Sequence, residues 1–163
     1  MTTYHLMNGK ENILFKMDQK SIIEQHINNW VSHLSINRKE LDNSQICPFA
    51  KNSKFKIIET TIEDIKIVDE DFELIIYKFS DLITEILLLN TCQILNKKYP
   101  NLIFLPDHKD RKTYINNIIT NNGKYNLILC QSRIDLNIAR LKLRKTNYYS
   151  FWDQHYLQEI LTS

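Results

Sequence analysis

The chain alternates between apolar residues at helical spacing and short, uniformly apolar runs. Residues 19–34 predict a first helix with Asp18 as its N-cap, and a second helix should start at Ser80 and end before Pro100. Apolar side chains cover most of the second helix, which predicts that it is heavily buried: Leu82, Ile83, Ile86, Leu87, Leu89, Ile94 and Leu95. Residues 1–17 are interpreted as a short strand or an arm.

Runs rich in β-branched and aromatic residues predict the strands. They are residues 54–68 with a break near residue 60, then residues 72–79, 102–105 and 125–130. Between the last two runs, residues 110–122 predict a helix with Gly123 as its left-handed C-terminal residue. Further helices are predicted from about Asp135 and over residues 148–160.

This order of strands and helices predicts the α/β class, with a mostly parallel or mixed sheet and helices on both faces. A length of 163 residues, with 43% hydrophobic and 25% charged residues, is typical of one globular domain. Only two glycines and three prolines argue against an all-β sandwich, which needs many turns. We therefore assign residues 1–163 to a single domain, with residues 1–17 as a candidate N-terminal arm.

The charge and cysteine content exclude several classes of function. A net charge of +2 is too small to indicate nucleic acid or an anionic membrane as the partner. The three cysteines are widely spaced, which argues against a disulfide framework and a zinc knuckle. Without a run of signal-peptide or transmembrane length, the sequence predicts a cytoplasmic protein.

The candidate functional residues follow two of the predicted strands. In open α/β sheets, ligands bind beyond the carboxyl ends of the strands. Residues 106–111 and 131–135 are such ends, and they hold most of the reactive side chains: Asp107, His108, Asp110, Arg111, Gln131, Ser132, Arg133 and Asp135. If the two strands are parallel neighbours, their loops face each other, so we predict that His108 and Arg133 share one cleft.

These residue types indicate an enzyme that acts on a small anionic substrate. Arg111 and Arg133 would bind the anion, with Ser132 beside them, because guanidinium groups match carboxylate and phosphate geometry. His108 would transfer protons, and Asp107 or Asp110 would orient it. The alternative for Asp107 is an ordinary helix cap.

Cys47 is the remaining catalytic candidate, as a nucleophile. If Pro48 begins a helix, the thiol lies at a helix N-terminus, which would lower its pKa. The alternative is a small buried cysteine packed beside Phe49. A less favoured hypothesis joins Cys47, His108 and His155 as ligands of one transition metal with an open position. No nucleotide cofactor is expected, because a glycine-rich phosphate loop is missing.

One motif resembles an uncharacterised bacterial domain family of unknown function. That family has a tryptophan-bearing N-terminal helix, a Leu-Cys-Pro-Phe-Ala-Lys motif and then alternating strands and helices. Here the matching residues are Trp30-Val31 and Ile46-Cys47-Pro48-Phe49-Ala50-Lys51. The family's His-Pro pairs at strand ends are replaced by Pro106-Asp107-His108. The resemblance implies the same α/β order and places Cys47 near the site, but it implies no particular reaction.

A second hypothesis makes the protein a noncatalytic interaction module. Residues 140–145 contain four basic residues: Arg140, Lys142, Arg144 and Lys145. As one exposed surface, this stretch would bind an acidic partner, and the polar loops would only cap helices.

Overall fold

The computed structural model describes residues 9–50, 54–67 and 73–162. Its helices are α1 (Gly9–Leu34), α2 (Glu85–Lys98), α3 (Arg133–Leu143) and α4 (Gln154–Thr162). Its strands are β1 (Phe55–Glu59), β2 (Leu74–Phe79), β3 (Leu102–Asp107), β4 (Tyr114–Ile115), β5 (Ile118–Ile119) and β6 (Asn126–Ser132). Short 3-10 turns lie at Lys39–Leu41 and Tyr148–Phe151.

The main sheet is mixed and has the strand order β1-β2-β6-β3. β1 is parallel to β2, whereas β6 lies between β2 and β3 and is antiparallel to both. The C-terminal ends of β1, β2 and β3 therefore lie along one edge of the sheet, where the strands end, and the C-terminal end of β6 lies along the opposite edge. The predicted α/β class with a mixed sheet is confirmed.

Helices cover both faces of this sheet because alternate strand residues point to opposite sides. On one face, Phe104 and Ile128 pack against Leu88 and Cys92 of α2. On the other face, Ile76 and Leu127 of the strands pack against Ile23 and Ile27 of α1. Both groups are apolar and buried, so the sheet is the centre of the core. Within the described part of the chain, no helix is both long and apolar enough to span a bilayer.

Both predicted N-caps were wrong, and so was the burial of the second helix. α1 begins at Gly9, so Asp18 lies inside it, and residues 1–8 of the predicted arm lie outside the described residues. α2 begins at Glu85, where the hydroxyl of Thr84 accepts the amide N–H of Leu87 at 3.3 Å. Leu82 precedes the helix and is 91% exposed. α2 contacts the sheet along one side only and leaves Ile86, Leu87 and Ile94 exposed.

The predicted strands are largely confirmed, with changed ends. β1 covers residues 55–59 of the first run, and residues 60–67 contain no strand. β2 begins at Leu74, and position 72 lies outside the described residues, as does position 68 of the first run. β3 and β6 each extend two residues beyond the predicted C-terminal ends, so Asp107 and Ser132 are strand residues.

The predicted helix over residues 110–122 was wrong, because this segment forms the β4–β5 hairpin. Asn116 and Asn117 make its turn with φ values of 45° and 65°, a left-handed conformation that interrupts a helix. Gly123 has a φ of 67°, but it lies in a turn and ends no helix.

Side chains on one side of α1 form hydrogen bonds to the backbone of the hairpin and of the residues after it. The indole N–H of Trp30 donates to the Thr120 carbonyl at 2.9 Å. His33 and His26 make ring-nitrogen hydrogen bonds to the carbonyls of Ile119 and Asn122, both at 3.1 Å. These hydrogen bonds attach the hairpin and the residues after it to α1. Because a hairpin and not a crossover helix links β3 to β6, β6 returns antiparallel.

The left-handed conformation of Asn117 leads to a prediction about the stability of the protein. Replacing Asn117 with valine should lower the free energy of unfolding by roughly 1–2 kcal/mol, because a β-branched residue resists positive φ. Asn117→Gly, the control, should leave this free energy unchanged or raise it, since glycine favours the second position of such turns. Urea unfolding measures both, and an equal loss in the two variants would contradict the observed turn.

Candidate functional site

A cavity of about 880 Å³ lies on the α1 face of the sheet. Its walls come from the sheet, the end of α1, residues 46–50, the inner side of α3 and the aromatic residues after α3. Most of the lining side chains are apolar: Trp30, Val31, Leu34, Phe55, Leu74, Leu105, Leu129, Leu136, Ala139, Leu143 and Trp152. A cavity of this size and character is typical of sites for small organic molecules.

The cavity extends along the strand direction from one end of the sheet to the other. Asp107 pairs with Leu127, and Ser132 pairs with Leu102, so Asp107 and Ser132 lie at opposite edges. Both residues line the cavity. Leu102 and Asp107 are five residue steps apart along β3, which corresponds to about 17 Å at the usual rise of a strand.

Asp107 places a buried carboxyl group on the cavity wall. The side chain is the last of β3 and is only 9% exposed. Its Oδ2 atom accepts the backbone N–H of Asn122 at 3.0 Å and the Nδ2 of Asn122 at 3.1 Å. Burial raises the pKa of Asp107 to about 6, although these hydrogen bonds and the nearby His108 and Arg111 act to lower it. The carboxyl group therefore changes protonation state close to neutral pH.

Asn122 is itself held in one orientation, which fixes the carboxyl group. Its Oδ1 accepts the backbone N–H groups of Lys124 at 3.0 Å and Tyr125 at 2.7 Å. Its Nδ2 also donates to the Tyr125 carbonyl at 2.9 Å. Asn122 was not among the predicted site residues because its position was predicted to be a helix end, although Asn122-Gly123 is a frequent turn pair.

His108 also lines the cavity, but backbone groups occupy both of its ring nitrogens. Nε2 donates to the Ile83 carbonyl at 3.0 Å, and Nδ1 accepts the backbone N–H of Asp110 at 3.2 Å. These two hydrogen bonds fix the orientation of the ring and connect the start of the loop after β3 to the residues before α2. The geometry therefore favours Asp107, and not the predicted His108, as the proton-transferring group.

Arg133 and His108 do not share a cleft, so that prediction was wrong. Arg133 lies at the opposite edge of the sheet because β6 is antiparallel to β3. Its Nε donates to the carbonyls of Pro100 at 3.0 Å and Leu102 at 3.2 Å, and its Nη2 donates to Asn96 Oδ1 at 3.2 Å. These bonds secure the turn between α2 and β3, which is a different role from the predicted anion binding.

Ser132 and Arg111 line the cavity but already have protein partners. The Ser132 hydroxyl accepts the Asp135 N–H at 3.3 Å and caps α3, so this helix begins at Arg133, two residues before the predicted start. The Arg111 Nε forms an ion pair with Glu85 Oε1 at 3.2 Å. An anionic ligand would have to compete with Glu85 for this guanidinium group.

Cys47 reaches the cavity, at a bend of the chain around Pro48. Its N–H donates to the Leu34 carbonyl at 2.8 Å, and its carbonyl accepts the Ala50 N–H at 3.2 Å. Burial raises the pKa of the thiol, which outweighs the lowering effect of the Phe49 and Ala50 N–H groups. The predicted thiolate at a helix N-terminus was wrong, because Pro48 enters a turn and the surroundings are apolar.

The proposed metal ligands do not converge. His155 lines a separate, shallow pocket with Gln154, Leu157 and Gln158, away from Cys47 and His108. Within residues 9–50, 54–67 and 73–162, no three histidine, cysteine, aspartate or glutamate side chains are grouped to hold a metal ion. The hypothesis of a site made from Cys47, His108 and His155 was therefore wrong.

Arg140 was predicted to be part of an exposed basic surface, but it lies in the cavity wall and is only 7% exposed. Burial lowers the pKa of its guanidinium group, Tyr149 opposes this effect, and the nearby Arg133 and Arg144 add to it. Because Arg140 lies inside, residues 140–145 do not form one continuous exposed basic surface. Lys142, Arg144 and Lys145 are exposed.

Comparisons with known proteins return no relative for this chain: no family model, curated sequence or solved structure matches it. The resemblance carried by Trp30 and the Cys-Pro-Phe-Ala motif therefore stays a prediction. The function must be argued from the cavity and its side chains.

Proposed function

We propose that this protein is an enzyme that acts on a small organic molecule in the central cavity, with Asp107 as the group that accepts or donates a proton. One observation supports this most strongly. A buried carboxyl group, rigidly held by Asn122, lies on the wall of a large and mostly apolar cavity. Burial raises the pKa of such a carboxyl group towards neutral pH, which suits it to act as a general acid or base.

The main alternative is that Asp107 only braces the turn around Asn122. An asparagine would serve that purpose equally well, because its amide oxygen can accept the same two hydrogen bonds without a charge. The carboxylate is costly, since a rise of its pKa from 3.8 to about 6 corresponds to about 3 kcal/mol at neutral pH. A role in proton transfer explains why position 107 has an ionisable side chain, whereas hydrogen bonding to Asn122 alone does not require one.

The shape of the cavity supports a ligand with an apolar body. Leu105 and Leu129 of the sheet and Leu136 and Leu143 of α3 would contact that body. Each buried apolar square ångström contributes about 25 cal/mol to binding before entropic costs. Most of the wall is apolar, and its polar groups would set the orientation of the ligand. Asp107 would then face one functional group of the bound molecule.

Blocking the cavity tests whether ligands bind there. Ala139 lies on the inner side of α3, and Ala139→Trp should fill space in the cavity. Asn137→Trp on the exposed side of the same helix is the matched control. We expect 2-naphthoate, 2-naphthamide or 3-phenylpropanamide to raise the melting temperature of the wild type and of Asn137→Trp, but not of Ala139→Trp. Equal stabilisation of both variants, or of none of the proteins, would contradict the proposal.

Proton linkage tests the role of Asp107. Binding of any cavity ligand near pH 6 should change the protonation of the carboxyl group, so calorimetry in buffers of different ionisation enthalpy should detect a fraction of a proton exchanged. A ligand that donates a hydrogen bond to Asp107 should release protons, because it favours the carboxylate. The exchange should disappear in Asp107→Asn. Undiminished exchange in that variant would assign the proton to another group.

A further inference from the structure

α3 leaves an apolar stripe uncovered on its outer side, away from the cavity. Ile134, Ile138 and Leu141 are 64%, 48% and 57% exposed. At 3.6 residues per turn, these three side chains lie within about 60° of one another around the helix axis. The inner side of the same helix lines the cavity through Leu136 and Ala139. Both sides of α3 are therefore apolar, and within the described part of the chain only the inner side is covered.

We propose that the outer side of α3 packs against the same side of α3 in a second copy of the chain, with the two helices antiparallel about a two-fold axis close to Ile138. An exposed apolar stripe bordered by charged residues is typical of a protein–protein contact. Dimers in which both subunits use the same surface are the commonest soluble oligomers. The charges beside the stripe favour a second copy as the partner, because they are complementary to themselves.

This self-complementarity comes from Asp135 and Lys142. Both are exposed, although Asp135 also lines the cavity, and they are seven residues apart, so they lie on the same flank of the stripe. A two-fold axis places this flank beside the same flank of the partner helix. Asp135 precedes Ile138 by three residues and Lys142 follows it by four, so each Asp135 would face the partner's Lys142. Two equivalent ion pairs would result.

The other charged residues of α3 and of the turn after it agree with this arrangement. Lys145 lies at the C-terminal end of the stripe, where its aliphatic stem would cover the partner's Ile134. Arg144 lies on the opposite flank, and its two copies would be about 16 Å apart along the axes, beyond the range of strong repulsion at physiological salt. Antiparallel helices also bring opposite ends of their dipoles together. A parallel pair would instead place like charges side by side.

α2 also exposes apolar residues, but its surface is not complementary to itself. Ile86 and Ile94 are 70% and 65% exposed, and the exposed, polar Asn90 lies between them. The exposed charged residues of this helix are Lys97 and Lys98, both basic. Two copies of α2 would therefore lack the opposite charges that α3 offers, which makes α2 a suitable control surface.

Sedimentation equilibrium of the full chain at increasing concentration tests the pairing. One short helix per subunit is a small interface, so we expect a dimer with a dissociation constant on the order of 10 μM. Ile138→Glu should abolish the dimer, because two carboxylates would meet in an apolar contact at the two-fold axis. Ile94→Glu, the same change at an exposed position of α2, is the matched control and should keep the dissociation constant of the wild type.

Exchanged charges test the orientation of the two helices and supply a second test if Ile138→Glu does not fold. Asp135→Lys and Lys142→Asp should each weaken the dimer about tenfold, because like charges then face each other in both contacts. An equimolar mixture of these two variants should form a heterodimer with about the affinity of the wild type, since both contacts of the mixed pair again join opposite charges.

Three results would overturn the proposal. They are a wild type that stays monomeric at concentrations about tenfold above the expected dissociation constant, a dimer that survives Ile138→Glu, and a mixture of Asp135→Lys with Lys142→Asp that does not recover association. A dimer lost in Ile94→Glu but kept in Ile138→Glu would assign the interface to α2. The proposed function of the cavity is independent of these results, because it depends on the inner side of α3.

Discussion

Replacing Asp107 with asparagine should make the protein more stable at pH 7.5, with a free energy of unfolding higher by about 1–3 kcal/mol. Most substitutions of buried residues have the opposite effect. The gain is expected because the amide oxygen of asparagine can accept both hydrogen bonds from Asn122, while the cost of burying a charge disappears. Such a gain is typical of residues kept for function at the expense of stability.

The pH dependence of this gain follows from the direction of the pKa change. The folded pKa of Asp107, about 6, lies above the ordinary value of 3.8, so the folded state binds the proton more tightly than the unfolded state. The stability that this proton provides is complete below pH 3.8 and is lost as the pH rises to about 6. The advantage of Asp107→Asn should therefore develop between these two values and stay constant above them.

Denaturant unfolding of both proteins from pH 4 to pH 8 measures this effect. Asp110→Asn, which changes an exposed carboxylate three residues further along, is the matched control and should show little difference from the wild type. A variant Asp107→Asn that is less stable than the wild type at every pH would mean that the carboxylate contributes to the fold itself.

Leu88→Ala should destabilise the protein by roughly 2–5 kcal/mol, the largest loss expected from a single change in α2. Leu88 is 0% exposed and belongs to the core between α2 and the sheet, with Phe104 and Ile128. Truncation would remove apolar contacts and leave a void that these neighbours cannot fill completely.

The adjacent residue is the control for this prediction. Leu87 has the same side chain on the same helix but is 44% exposed, so Leu87→Ala should lower the free energy of unfolding by less than about 1 kcal/mol. Thermal and urea unfolding compare the two variants. Similar losses for Leu87→Ala and Leu88→Ala would contradict the observed orientation of α2.

The contrast between these two leucines shows where sequence patterns become ambiguous. The apolar runs that form β2, β3 and β6 were recognisable because they are short, β-branched and uniformly apolar. In α2, apolar residues occur around the whole helix, and periodicity cannot select the buried side when several sides qualify. The sheet selects Leu88 and Cys92, which is a tertiary choice that the local sequence does not contain.

The same ambiguity affected the segment between β3 and β6. Tyr114, Ile115, Ile118 and Ile119 have a spacing that fits one side of a helix and also a short hairpin. The decision depends on the left-handed pair Asn116-Asn117 and on donors from α1, about 90 residues away in sequence. Because a helix was predicted here, β6 was expected to be parallel to β3, whereas it is antiparallel. Arg133, which follows β6, therefore lies at the edge of the sheet opposite to the predicted one.

The site was predicted in part because position along the chain identifies strand ends well. Asp107, His108 and Cys47 do line one cavity, but their roles depend on hydrogen bonds that the sequence cannot show. Arg140 was missed because α3 has two apolar sides: Ile134, Ile138 and Leu141 are exposed, whereas Leu136, Ala139 and Leu143 face the cavity. Without knowledge of which side is covered, a basic stretch is naturally interpreted as a surface.

The protonation of Asp107 in the presence of a cavity ligand tests the proposal most directly. Carbon-13 NMR can follow the carboxyl carbon of Asp107, assigned by its absence in Asp107→Asn, across a pH titration with and without 2-naphthamide. We expect a midpoint near 6 in the free protein and a displaced midpoint when the ligand is bound. A midpoint near the ordinary value of 3.8, unchanged by a ligand that binds in the cavity, would contradict the proposed role of Asp107.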